Sequence, residues 1–332
     1  MPLLNRLRPD PFVLALLTTV GIASLLPCAG AGAHVFALAT DLAVALLFFL
    51  YGARLSRQVV VQGATRWRLH ATVFFSTFLL FPLFGLALSP LSMRMLTPDL
   101  YLGTLFLCTL PSTIQSSIAF TSIAGGNVPA AICSASASNT IGIFLSPLLV
   151  GVMMQAHGAT LSFHAVEGIV AQLVAPFILG QIARPWLGAW AERNRRTLSL
   201  VDRGVILLVV YTAFSAAVVQ GIWRNLGAIG LAMVVIVDML LLTLVLIATT
   251  LGSRRLGYSR EDEIAVVFCG SKKSLASGIP MANVLFVGHT IGMVVLPLML
   301  FHQIQLIVCA FLARRYAARG AALAQASAKA AA

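Results

Sequence analysis

Phe268-Cys-Gly-Ser-Lys-Lys-Ser274 interrupts an apolar run covering residues 263–286, and Leu110-Pro-Ser-Thr113, followed by Gln115, Ser116 and Ser117, interrupts another over 100–124. Proline lacks a backbone donor and clashes with the preceding turn, and glycine permits unusual dihedrals, so Pro111 and Gly270 are expected to split each run into half-helices. Each alone reads as an ordinary kink. As a pair they carry more, because unwound backbone at membrane depth is tolerated only where it is buried in protein or lines a cavity. Matched breaks therefore point to one central site.

The rest of the chain puts these runs in lipid. Of 332 residues 59% are hydrophobic and 10% charged, and mean hydropathy is +0.96, with too few charges to coat a soluble protein of this size. Stretches of about 20 apolar residues fall at 11–27, 34–50, 69–88, 100–124 and 128–153, then at 162–183, 204–221, 226–250, 263–286 and 291–313. This predicts an all-α membrane protein of ten transmembrane helices. Ten divides into five plus five, and an odd-numbered unit duplicated in tandem has its second copy inverted across the membrane. The repeats are expected at 11–153 and 162–316, each with a broken fourth helix (helices four and nine), between an N-terminus at 1–10 and a tail at 317–332. Arg6 and Arg8 before the first run resemble a signal peptide, but so many apolar runs follow that it reads as an uncleaved first span.

Orientation has an internal test, because short cytoplasmic loops collect Lys and Arg. All of the 22 basic residues except Arg94, Arg224, Lys272 and Lys273 fall on the side of the N-terminus, which places both termini in the cytoplasm of a multi-pass protein of the bacterial inner (plasma) membrane. The net charge of +12 is thus a topology signal and not a nucleic-acid footprint, since no basic stripe with interleaved aromatics occurs. The five cysteines lack metal-ligand spacing and read as packing residues. Trp67, Trp186, Trp190 and Trp223 lie near span ends as interfacial anchors, the stretches 56–66 and 186–196 as short interfacial helices, and the Ala-rich tail as disordered or a frayed helix end. The histidines sit mainly at span ends, where a hydrated ring is the default; His302, near Gln303 and Gln305, is the exception.

Phe268-Cys-Gly-Ser-Lys-Lys-Ser-Leu-Ala-Ser-Gly-Ile-Pro-Met281, with Phe48-Phe-Leu-Tyr-Gly-Ala-Arg-Leu55, Asp202-Arg203 ahead of Tyr211-Thr-Ala-Phe-Ser215, and Gly126-Asn127 before Ser146-Pro147, resembles the bile acid:sodium symporter superfamily. The likeness is to its SBF-like branch, which includes the seventh member of human solute carrier family 10 and many bacterial proteins. It spans nearly the whole chain. It implies a panel domain (helices one, two, six and seven) and a core domain (three to five, eight to ten), with helices four and nine crossing at their unwound centres. Sodium-coupled relatives build ion sites from polar groups after the helix-four break, hydroxyls on helix five, a Gln on helix three and a Glu-x-x-x-Gln stretch on helix nine. Ser116 and Ser117 match the first group, Ser134, Ser138 or Asn139 the second, and Thr77 takes the place of the helix-three Gln. The acid position falls near Val267, and no Asp or Glu follows Glu263, so coupling to sodium through the usual acidic site is not expected.

Lys272 and Lys273 are the sharpest functional signal, because an ammonium at mid-membrane costs about 2.5–3.5 kcal/mol on insertion scales and calls for a partner or cavity. Adjacent helical residues point roughly 100° apart, so one is expected to reach the cavity and the other to pair with protein. Asp238 is the first candidate partner, with Asp41 and Glu167 as further intramembrane acids. Together with Ser271, Ser274 and Gln115, the lysines are expected to bind an anionic group beside half-helix N-termini, each worth roughly +0.5 charge. A lysine then supplies the charge that a sodium ion supplies in relatives, and since burial disfavours its charged form, proton exchange can be coupled to substrate movement. H+ and Na+ both stay open as coupling ion, and no cofactor or metal is expected.

The function this predicts is secondary transport of a small organic anion by alternating access, in a lipid bilayer and without nucleic acid; oligomeric state and substrate are not specified by sequence. The alternative is a membrane regulator of ion (calcium) homeostasis that binds without transporting, which the human relative's link to calcium handling raises. An enzyme is not expected: no Walker loop, Gly-x-Ser-x-Gly elbow or His-Glu-x-x-His pair occurs.

Overall fold

The computed structural model describes residues 11–54, 66–155, 173–219, 221–286 and 289–331, and among these every regular element is helical. In chain order the helices are α1 (Pro11–Leu25), α2 (Ala31–Arg54), α3 (Trp67–Phe75), α4 (Phe81–Ala87), α5 (Ser89–Met95), α6 (Pro98–Thr109), α7 (Ile114–Ile123), α8 (Val128–Gln155), α9 (Ala175–Arg193), α10 (Arg195–Val219), α11 (Ile222–Arg255, kinked at Gly227), α12 (Arg260–Gly270), α13 (Leu275–Leu285) and α14 (Ile291–Ala331). A π-turn, Ser76–Leu80, joins α3 to α4 without leaving the helix axis. Six of the described helical stretches are long and apolar enough to cross a membrane, and they make this a multi-pass membrane protein. Apolar sequence folds as helix there because hydrocarbon offers no partner for a backbone group outside its own segment.

Two features differ from the sequence expectation. Trp186 and Trp190 lie on the last turns of α9 and not on a separate interfacial helix, because nothing between Pro185 and Arg193 breaks the backbone pattern after the proline. Both rings are exposed, as is Trp67. The Ala-rich tail continues α14, whose 41 residues at 1.5 Å rise extend roughly 60 Å, about twice the hydrocarbon thickness. Alanine has the highest helix propensity and needs no tertiary contact to extend a helix already nucleated.

The chain divides into two compact units. The first holds α1, α2, α9, α10 and residues Ile279–Val295. Its closest pair is α2 with α9, where Gly52 and Gly180 face each other's backbones: a Cβ on Gly180 would overlap the Phe49 carbonyl, and one on Gly52 the Phe177 carbonyl. Small residues allow such approach in lipid, where helix association rests on van der Waals contact and interhelical hydrogen bonds. Gln181 Nε2 donates to Gly52 O at 2.6 Å, Thr40 and Thr212 share a hydroxyl bond of 2.9 Å, and Arg54 clamps Asp202 through bonds of 2.7 and 3.2 Å.

The second unit holds α3 to α8, α11 from Ile229, α12, the start of α13, and α14 from Leu296. A polar network ties one end of it. Ser259 caps α12 by accepting from Asp262 N, and three acids occupy the first turn, where the helix dipole favours them. Asp262 accepts from Arg66 at 2.8 Å and from Asn127 Nδ2 at 2.7 Å, while Asn127 Oδ1 accepts from Ala130 N at the start of α8. Glu263 accepts from Arg254 Nε at 3.1 Å and from the Tyr316 hydroxyl at 2.7 Å. Glu263→Ala is therefore expected to destabilise the protein by about 1–3 kcal/mol, because Tyr316 loses its acceptor. Arg66→Ala, at a side chain 55% exposed, is expected to cost under about 1 kcal/mol. Thermal denaturation in detergent checks both; equal losses would refute the distinction.

Candidate functional site

The breaks of both interrupted runs lie in the second unit, and they touch. Helix α6 ends at Thr109 and α7 begins at Ile114, with Leu110 and Thr113 extended (ψ 153° and 140°), as the residue before a proline prefers. Helix α12 ends at Gly270 and α13 begins at Leu275. Ser274 N donates to Pro111 O at 2.8 Å, and Ser112 Oγ donates to Cys269 O at 2.6 Å.

Each helix end leaves four carbonyls without an intrahelical donor, and the site accounts for all of them. For α6, Phe106 O accepts from Thr109 Oγ1, Leu107 O from Leu110 N, Cys108 O from Lys273 Nζ and Thr109 O from Ser146 Oγ. For α12, Val267 O accepts from Ser271 N, Phe268 O from Ser117 Oγ, Cys269 O from Ser112 Oγ and Gly270 O from Ser76 Oγ. Serine hydroxyls thus do at the breaks what water does at a surface. Gly270 itself has no positive φ. Its lack of a side chain serves close approach: a Cβ would lie 3.0 Å from Ser76 Oγ and 3.1 Å from Ser76 Cβ.

Both lysines are fully buried on the unwound segment, and their amines diverge. Lys273 Nζ donates to Thr77 O, Cys108 O and Leu110 O at 2.7, 2.8 and 2.7 Å and stands 4.1 Å from the centre of the Phe81 ring. Gln305 holds its backbone from both sides, accepting from Lys273 N at 2.9 Å and donating to Lys273 O at 3.0 Å. Among the described residues Lys272 Nζ donates once, to Ser116 O at 2.8 Å, and lies 3.9 Å from the centre of the Phe120 ring and 5.5 Å from that of Phe268.

Neither of the two described carboxylate candidates pairs with a lysine. Asp238, first among them, makes no ion pair with either lysine, and its two buried oxygens have no hydrogen-bond partner among the described residues. Backbone carbonyls have taken the role assigned to it. Asp41 belongs to the first unit, where it accepts from Asn283 Nδ2 at 3.2 Å. Glu167 lies outside the described residues.

Among the residues proposed for ion binding, Thr77 contributes its carbonyl, while its hydroxyl bonds back to Val73 O. Ser116 shares a 2.6 Å hydroxyl bond with Thr113. Ser138 Oγ accepts from Ser112 N, Asn139 Oδ1 from Ser277 Oγ, and Ser274 Oγ from Ser277 N. Ser271 is buried beside them, whereas Gln115 is exposed and stands apart. Ser134 shares a 2.7 Å bond with His70 Nδ1, so His70 is an interior residue and not a hydrated one. Sequence reasoning missed Gln305, the rings of Phe81, Phe120 and Phe268, and the reason Thr77 O is free. Pro82 was the available signal for the last. Phe81 N bonds to Ser76 O in the π-turn, and the next donor in that register would be Pro82, which has none.

A model of the SBF-like CPA transporter family matches residues 10–318. The chain belongs to that family. Within this SBF-like group it is 57% identical over 326 residues to the "Uncharacterized protein PA2026" of Pseudomonas aeruginosa, covering 97% of this chain and 98% of that one. It is 54% identical over 307 residues to "Putative symporter YfeH" of Escherichia coli, covering 92% of each chain. "Sodium/bile acid cotransporter 7" of Rattus norvegicus is 26% identical over 314 residues, covering 93% of this chain and 92% of that one. The resemblance read from the Lys-Lys-Ser segment is thus to the right family.

Proposed function

We propose that this SBF-like protein is a secondary active transporter of a small organic anion working by alternating access, with ten membrane helices in two inverted repeats, 11–153 and 162–316. Helices one, two, six and seven form its panel and the others its core. The relatives named symporter and cotransporter agree with coupled transport. The observation that carries the reading is the contrast between the two amines. Lys273 is saturated by protein acceptors; Lys272 has one among the described residues, next to the first turn of α7, where a helix N-terminus presents partial positive charge. A carboxylate or sulfonate of the substrate would take the donors that Ser116 O leaves over, with the Phe120 ring against its apolar part.

The coupling ion follows from the same contrast. An ammonium has three N–H donors and a neutral amine two, so the three carbonyls around Lys273 require its charged form. The single acceptor of Lys272 is satisfied by either form, and Lys272 is the amine we assign to proton exchange. Val267, near which the resemblance places the acid of sodium-coupled relatives, is apolar and buried.

The test begins with a thermal-shift screen of purified protein against organic acids, with and without sodium and at several pH values. Anions that stabilise are then offered to proteoliposomes. Uptake is expected to respond to an imposed pH gradient and to persist when choline replaces sodium. Strictly sodium-dependent uptake refutes the coupling, and binding without flux for every stabilising anion favours the non-transporting regulator.

A further inference from the structure

Lys273 Nζ sits where three carbonyl oxygens from two distant parts of the chain converge, within 2.7–2.8 Å, under an aromatic ring. None of the three belongs to an intact helical register: Thr77 O is released by the π-turn and Pro82, Cys108 O by the end of α6, and Leu110 O by the break. Carbonyl oxygens gathered without donors repel one another and attract a cation, as in ion-selective filters. Their number matches the three donors of an ammonium, and the Phe81 face adds the attraction of a ring quadrupole. The Gln305 clamp fixes the backbone from which the amine is delivered.

We propose that these groups form a monovalent-cation site of the ammonium class, and that Lys273 is its tethered occupant. The proposal rests on the reading that a fixed ammonium replaces a mobile cation in this family member, and it goes further in naming the site, its ligand class and its capacity to be refilled. Cutting the tether leaves an empty cage that a free alkylammonium enters. The crossing of the two broken helices is then held by whatever cation fills the cage, with no part played by substrate.

Thermal denaturation of purified full-length Lys273→Ala tests this in methylammonium, ammonium, sodium and choline chloride at equal ionic strength, after solubilisation in each salt. The variant is expected to melt well below wild type in choline and to regain at least half of the lost melting temperature in methylammonium, while wild type melts alike in all four. Lys273→Met, whose thioether fills the cage without donors, is expected to melt low in every salt. The proposal is overturned if Lys273→Ala melts alike in all salts, if it yields no folded protein in any of them, or if Lys273→Met matches wild type. Recovery by sodium in preference to methylammonium overturns the ammonium assignment. Because no substrate enters these measurements, failure of transport leaves their outcome intact, and failure here leaves the uptake test standing.

Discussion

Lys272→Met is expected to abolish uptake of the stabilising anion while leaving the melting temperature of the purified protein within a few degrees of wild type. Among the described residues the side chain makes one hydrogen bond, to a carbonyl on a partly exposed turn, and its amine otherwise lies against the rings of Phe120 and Phe268. A methionine of similar volume keeps that packing, and replacing a buried charge by an apolar group of like size is often neutral or stabilising. What it removes is the counter-charge of the bound anion, worth about 2 kcal/mol or more, a loss of roughly thirtyfold or greater in affinity. Lys273→Met is expected to behave in the opposite way. Three buried carbonyls lose their donors at about 1–3 kcal/mol each, so stability falls first and transport falls with it. Comparing melting temperature with the half-saturating anion concentration for both variants checks the assignment. Equal profiles, or a Lys272→Met that transports normally, would place the anion elsewhere.

The second large effect is expected in the first unit. Gly180→Ala adds a single methyl group that overlaps the Phe49 carbonyl oxygen. The obstacle is backbone, so no rotamer change relieves it and α2 and α9 must separate. Overpacking of this kind costs about 1–3 kcal/mol, and more where backbone has to move. Separation also strains the 2.6 Å bond from Gln181 to Gly52 O. Gly21→Ala, on α1 with nothing within 4 Å of the added atom, supplies the control. It is expected to be neutral or to stabilise by about 0.5–1 kcal/mol, since alanine is the better helix former. Thermal denaturation of the two variants in the same detergent decides; a Gly180→Ala as stable as Gly21→Ala would mean that the two helices are not in contact.

Much of the site was legible because its signals are local. Pro111 disfavours helix at Leu110 whatever surrounds it, and a pair of lysines within an apolar run declares a cost that some other part of the protein must offset. The serines after the first break, Ser116 and Ser117, were also visible; in the fold Ser117 closes a helix end by donating to Phe268 O, as Ser112 within the break does by donating to Cys269 O. Gln305 was noticed only as a neighbour of His302, since nothing in an isolated helix indicates that an amide on it will clamp the backbone of Lys273.

The amino-acid sequence by itself determined that this chain is a helical membrane protein, where two of its runs break, which residues bring charge into the interior, and to which family it belongs. All of these depend on composition, run length and the stereochemistry of single residues. Only the tertiary structure decided what the charges meet. A sequence displays carboxylates and so offers Asp238 as the partner; the amines instead meet the carbonyls of Thr77, Cys108, Leu110 and Ser116. Every residue carries a carbonyl, so its identity is silent in sequence. Which carbonyls are left without donors, and which of those converge, is set by where helices end and how distant segments pack.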